Sequence, residues 1–216
     1  MLPDFHTTLT QTRLIAILRG IPGELLPDVL DRLYDGGVRL AEITFDAAGI
    51  LPMEETAAQI AMAARRMDGK MHIGAGTVLT AEQTELTKNA GGTFIISPHT
   101  DPRLIAETKK QGLFSLPGAM TVSEIVTAHR AGADYIKVFP AGSLGADFIK
   151  QVHGPLPHVK LLAVSGISLA DVPAYLAAGA AGFGIGGAIA NGKLCREGKL
   201  DEIRDNAEKW ARAAAK

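Results

Sequence analysis

The chain has 216 residues, 47% of them hydrophobic and 21% charged, with a formal net charge of −1. That length and apolar content suit one compact α/β domain, and a near-neutral balance with no basic stripe interleaved with aromatics excludes the phosphate-reading footprint of a nucleic-acid binder. A single cysteine, Cys195, excludes an intrachain disulfide or a cysteine-based zinc cluster and fits a reducing compartment.

Short apolar runs alternate with longer helical patterns along the chain. The strand candidates are Arg13 to Leu18, Arg39 to Phe45, Met71 to Ala75, Thr93 to Ser97, Leu113 to Pro117, Tyr135 to Phe139, Lys160 to Val164 and Gly182 to Ile185. Helices are expected over Glu24 to Asp35, Met53 to Met67, Ala81 to Asn89, Pro102 to Gln111, Val122 to Arg130, Ala146 to Val152, Leu169 to Ala178 and Asp201 to Lys216. Thr80, Asp101, Thr121 and Ser168 stand where helices begin, and Gly36, Gly91, Gly112, Gly132 and Gly179 where they stop. Eight strand–helix pairs predict a (β/α)8 TIM barrel over residues 1–216 as a single domain, with Leu2 to Thr12 forming a short helix or plug ahead of the first strand. The start Met1-Leu2-Pro3-Asp4 lacks the basic and apolar regions of a signal peptide, and no run approaches a membrane span. A cytoplasmic protein with a small-molecule substrate, and neither a membrane nor a nucleic-acid partner, is expected.

Lys137 stands in Tyr135-Ile136-Lys137-Val138-Phe139-Pro140, an ammonium inside a run that otherwise reads as a strand buried on both faces. Burial disfavours its charged form and leaves a free amine able to attack a carbonyl, which points to a Schiff-base enzyme. The bland alternative is a lysine that snorkels to the barrel rim. Glu42 interrupts a second apolar strand, on the opposite wall of the ring, and could shuttle protons for that amine; the alternative is a plain buried ion pair, which would raise the lysine pKa. Arg19 follows the run Leu14 to Leu18 and offers a planar fork to a substrate carboxylate at the mouth, or bonds a neighbouring rim loop. Thr77, in the turn Gly74-Ala75-Gly76-Thr77, supports the same carboxylate or caps its loop. The remaining strand ends are small and polar: Ser97-Pro98-His99, Pro117-Gly118, Ser165-Gly166 and Gly186-Gly187. His72, His153 and His158 show no metal-ligand spacing with carboxylates, so no metal site is expected.

Ile15-Ala16-Ile17-Leu18-Arg19-Gly20, Glu42-Ile43-Thr44-Phe45, Ile73-Gly74-Ala75-Gly76-Thr77-Val78, Ile95-Ile96-Ser97-Pro98-His99, Pro117-Gly118 and Ile136-Lys137-Val138-Phe139-Pro140-Ala141 resemble, in order, the successive motifs of the KHG/KDPG aldolase family. The resemblance implies a class I aldolase, without metal or organic cofactor, that cleaves 2-keto-3-deoxy-6-phosphogluconate or 4-hydroxy-2-oxoglutarate to pyruvate and an aldehyde, usually as a homotrimer. It makes Lys137 the Schiff-base lysine and Glu42 the general acid/base. Arg19 and Thr77 become the carboxylate site, with Pro117, Phe139, Ser165, Gly166, Gly186 and Gly187 completing the substrate contacts. Asp46 stands where many members carry arginine, whereas other members lack that arginine and carry one on strand one, as Arg19 does here; against the phosphogluconate enzymes, Ala163-Val164-Ser165-Gly166 replaces Pro-Thr-Gly-Gly, and Ala188 follows Gly187 where serine is usual. Backbone amides of Gly166, Gly186 and Gly187 could still cradle a phosphate. Two other classes fit the same barrel: a phosphate-handling isomerase or decarboxylase, and a non-catalytic sugar-acid binding protein.

Overall fold

A computed structural model describes residues 2–215. Its strands are β1 (Leu14–Leu18), β2 (Leu40–Thr44), β3 (His72–Gly76), β4 (Phe94–Ile96), β5 (Phe114–Leu116), β6 (Gly118–Ala119), β7 (Ile136–Val138), β8 (Leu161–Val164) and β9 (Gly182–Ile185). All pair in parallel, in the order β5-β4-β3-β2-β1-β9-β8-β7-β6. β5 is the expected fifth strand, and β6 carries the same stave on beyond the expected end at Pro117. Pro117 between them has no N–H to continue a ladder, so the lower half pairs with β4 and the upper half with β7. The Pro117 carbonyl still accepts the N–H of Lys137 at 2.8 Å, which closes the ring. The chain therefore forms the expected eight-stave (β/α) barrel.

Strand alternation divides the core in two. Leu14, Ala16 and Leu18 of β1, Ala41 and Ile43 of β2, and Leu161 and Ala163 of β8 face the helical ring. Ile15, Leu40, Phe94, Leu116, Tyr135, Leu162 and Val164 fill the lumen together with Phe5 and Leu9. The helix Phe5–Thr12, capped by the Asp4 side chain accepting from the Thr7 N–H, is the expected plug. Its Phe5 ring stacks on Phe114 at 4.4 Å and lies 5.2 Å from Phe94, sealing the N-terminal end of the barrel with aromatics.

The outer helices follow the predicted order, and their starts follow the predicted caps. Thr80 and Thr121 form reciprocal capping boxes with Gln83 and Glu124, and Asp101 accepts from the Arg103 N–H. The segment after β8 is shorter than expected. A 3₁₀ turn, Leu169–Asp171, precedes the helix Val172–Ala177, whose Pro173 occupies the first turn, where a missing N–H is tolerated. Two short helices, Ala141–Leu144 and Gly192–Arg196, lie in segments where no helix was expected, and the second buries Cys195. The closing helix is Leu200–Ala214, with Ile203, Ala207, Trp210 and Ala214 buried; Lys216 of the expected span lies outside the described residues. Among the described residues, no helix is long and apolar enough to cross a membrane.

Truncating the buried Phe5 to alanine should lower the unfolding free energy by about 3–5 kcal/mol, read by denaturant titration. A loss below about 1 kcal/mol would mean that the floor is not part of the packed core.

Candidate active site

The inward positions of the strands change character towards their C-terminal ends. On β1 the lumen-facing series runs Ile15, Ile17 and then Arg19; on β2 it runs Leu40, Glu42; on β7 it passes from Tyr135 to Lys137 and Phe139. Register places Ile17 beside Glu42 and Lys137 beside both Gly118 and Leu162. The charged groups thus sit one layer above the aromatic floor, under the mouth where barrel enzymes collect their chemistry.

A cavity of about 320 Å³ opens there, lined by Arg19, Glu42, Lys137, Phe139, Ser165, Gly166, Gly186 and Gly187 together with Ile17, Val164, Ile167, Gly184, Ile185 and Ala188. Lys137 is 7% exposed and Glu42 1%. The two do not close into a salt bridge, and Oε2 of Glu42 has no hydrogen-bond partner among the described residues. Burial pushes the Glu42 carboxyl up to about 7 against the opposing pull of the Lys137 and Arg19 charges. Burial also lowers the Lys137 pKa; Glu42 works against that shift and Arg19 adds to it. Nζ of Lys137 lies 4.7 Å from the centroid of the Phe139 ring, an aromatic face that favours the cation.

Arg19 is exposed at the rim and donates from Nη2 to Oγ1 of Thr77 at 2.9 Å. Thr77 holds that hydroxyl from an unusual backbone: its φ of 57° is left-handed, a conformation that costs a β-branched residue on the order of 1–3 kcal/mol. Thr77 is one hydrogen bond away from the cavity wall rather than part of it. Pro117 does not line the cavity either; its carbonyl is committed to the N–H of Lys137. Ser165 and Gly166 both have positive φ, at 75° and 71°, and the Ser165 carbonyl accepts from the N–H of Gly142 at 2.8 Å. Asp46 does not line this cavity. Its carboxylate takes the N–H groups of Ala48, Ile50 and Leu51, which hold it below the usual carboxylate range and brace its own loop. Three further wall residues share the parity of lumen-facing positions: Ile17 and Gly184 lie two before Arg19 and Gly186, and Val164 two after Leu162, whereas Ile185 reaches the wall from an outward-facing position and Ile167 and Ala188 from the loops after β8 and β9. Among the described residues, no group of three or more His, Cys, Asp or Glu could hold a metal ion.

Fold and site together define a barrel enzyme with a desolvated amine and a largely unpaired carboxyl in one lumen. The chain belongs to the KDPG and KHG aldolase family, whose profile matches residues 5–206. It is an aldolase, an enzyme of the lyase class. It is 35% identical over 177 residues to the probable 2-dehydro-3-deoxy-6-phosphogalactonate aldolase of Rhizobium meliloti (strain 1021), covering 82% of this chain and 81% of that one. It is 34% identical over 179 residues to the 2-dehydro-3-deoxy-6-phosphogalactonate aldolase of Escherichia coli (strain K12), covering 82% and 84%. A solved structure described as native KDPGal superposes with a TM-score of 0.84 at 28% identity, covering 93% of each chain.

The raised Glu42 pKa fixes a sign for stability. A carboxyl that titrates near 7 when folded and near 4.5 when unfolded stabilises the fold fully below pH 4.5, and that contribution is lost as pH rises through 7. Glu42→Gln should therefore gain stability over the wild type across this window, on the order of 3 kcal/mol above pH 7. Parallel denaturant titrations at several pH values check this; a pH-independent difference would contradict the buried-carboxyl assignment.

Proposed function

We propose that the chain is a class I aldolase in which Lys137 forms a Schiff base with a 4-hydroxy-2-oxo acid and releases pyruvate and an aldehyde. The observation that carries this reading is the desolvated Lys137 amine, without a salt-bridge partner, facing the cavity under the barrel mouth. Arg19, with Thr77 steadying its guanidinium, binds the C1 carboxylate. The neutral amine of Lys137 adds to the C2 ketone, giving a carbinolamine, and Glu42 donates the proton with which the hydroxyl leaves as water. The resulting iminium draws electrons as the C4 hydroxyl loses its proton to the Glu42 carboxylate, directly or through water, and the C3–C4 bond breaks. Aldehyde departs, C3 of the enamine is reprotonated, and water hydrolyses the imine to pyruvate and free Lys137. A carboxyl titrating near 7 can serve both the donating and the accepting step.

The substrate favoured is a 2-dehydro-3-deoxy-6-phospho sugar acid of the galactonate series, whose cleavage leaves pyruvate and glyceraldehyde 3-phosphate. The relatives' names support the acid, and the strand-one position of Arg19 and the glycine amides of Gly166, Gly186 and Gly187 suit its two anionic ends. The homotrimer implied by the family resemblance belongs to the same proposal.

Incubation with pyruvate and borohydride should reduce an adduct onto Lys137, located by peptide mass mapping; an unmodified Lys137 in protein that binds pyruvate overturns the mechanism. In steady-state kinetics, Glu42→Gln should lose about 10²–10⁴-fold in kcat. Arg19→Met should lose mainly in KM, by about 10–100-fold. The phosphogalactonate acid should give the highest kcat/KM in a panel with its phosphogluconate epimer and 4-hydroxy-2-oxoglutarate, and a preference for the unphosphorylated acid would overturn the substrate assignment.

A further inference from the structure

Gly76 closes β3, opposite Thr44 in the ladder, with an ordinary extended backbone that any residue adopts. Glycine in such a place weakens a strand by about 0.5–1 kcal/mol relative to alanine. The reason for it here is not the chain's path. A Cβ built at Gly76 would stand 2.5 Å from Cδ and Oε1 of Glu42 and 2.7 Å from Oε2, and these three atoms are its nearest neighbours. Gly74, two residues earlier on the same face, is different: its Cβ would strike the ring and carbonyl of Phe94, which is a matter of lumen packing.

We propose that Gly76 is a positioning residue of the aldolase reaction: its bare backbone is the seat against which the Glu42 carboxyl lies, and that seat holds the carboxyl at the lumen wall. The inference rests on reading Glu42 as the proton carrier. Glu42 has few other restraints. Its Oε2 lacks a hydrogen bond and no salt bridge ties it to Lys137, so the space that Gly76 leaves open sets where the group sits. A methyl at position 76 demands a displacement of about 1 Å to restore ordinary contact. The free volume for that displacement is the substrate cavity, which Glu42 already lines. Moving there hydrates the carboxyl and takes it out of line with the atoms at C2 and C4.

Gly76→Ala tests this with readouts that a purely structural glycine would leave alone. The expected result is a fall in kcat of about 10²-fold with KM nearly unchanged. The limb of the pH–rate profile that belongs to Glu42 should move down from near 7, because the displaced carboxyl is wetter. Thermal unfolding of Gly76→Ala, Glu42→Ala and the double variant completes the test. The destabilisation caused by Gly76→Ala should disappear when Glu42 is already alanine, a coupling that can be read even if the single variant is poorly active. Wild-type kcat and pH profile in Gly76→Ala, or an equal loss of stability in both backgrounds, overturns the seat. Wild-type kcat in Glu42→Gln overturns the proton-carrier reading, and the seat's catalytic role with it, and is told apart by that variant alone.

Discussion

An amine and a carboxyl are buried in one barrel lumen without neutralising each other, and much of the molecule's arrangement follows from that constraint. Were Glu42 and Lys137 to close into a hydrogen-bonded ion pair, Coulomb attraction would hold both charged and leave neither reactive. They remain apart because each is anchored on its own strand, Glu42 beside Ile17 on one wall and Lys137 beside Leu162 on the other. Desolvation then dominates at both sites, and it pushes the two pKa values towards each other. Such an arrangement destabilises the fold locally. The dry aromatic floor of Phe5, Phe94, Phe114 and Tyr135 and the apolar belt between strands and helices offset it.

The same constraint accounts for one of the small residues on the lumen face. β3 carries Gly74 and Gly76 on its inward face and β9 carries Gly182 and Gly184, continued by Gly186. Gly74 makes way for Phe94 and Gly184 for Val164, whereas Gly76 makes way for the Glu42 carboxyl itself. The open wall that results on the β8–β9 side is lined by Ser165, Gly166, Gly186 and Gly187, and it is the side on which an extended substrate has space to lie.

Much of this organisation is legible in the residues alone. Strand positions follow from apolar runs, helix starts from Thr80, Asp101 and Thr121, and Lys137 and Glu42 stand out because a charge inside a buried strand is costly. What escaped the pattern did so for physical reasons. Ala141–Leu144 and Gly192–Arg196 are too short to display a helical period, so the burial of Cys195 on the second of them was not visible. The break of the fifth stave at Pro117 depends on which partner strand each half can reach. Ile17, Val164 and Gly184 look like any other core positions; only their parity with Arg19, Leu162 and Gly186 marks them as wall residues. The fit of Gly76 against Glu42 is a contact between two strands and leaves no signature within either.

Burial keeps Lys137 below the ordinary lysine range, and direct titration of that side chain tests this. With ¹³C-labelled lysine, the Cε resonance of Lys137, assigned by its loss in Lys137→Met, can be followed by NMR against pH. A desolvated amine without a salt-bridge partner should give a midpoint clearly below the ordinary value of 10.5. A midpoint at or above 10.5 would mean that Lys137 is held as a permanent cation, and the Schiff-base reading would fall with it.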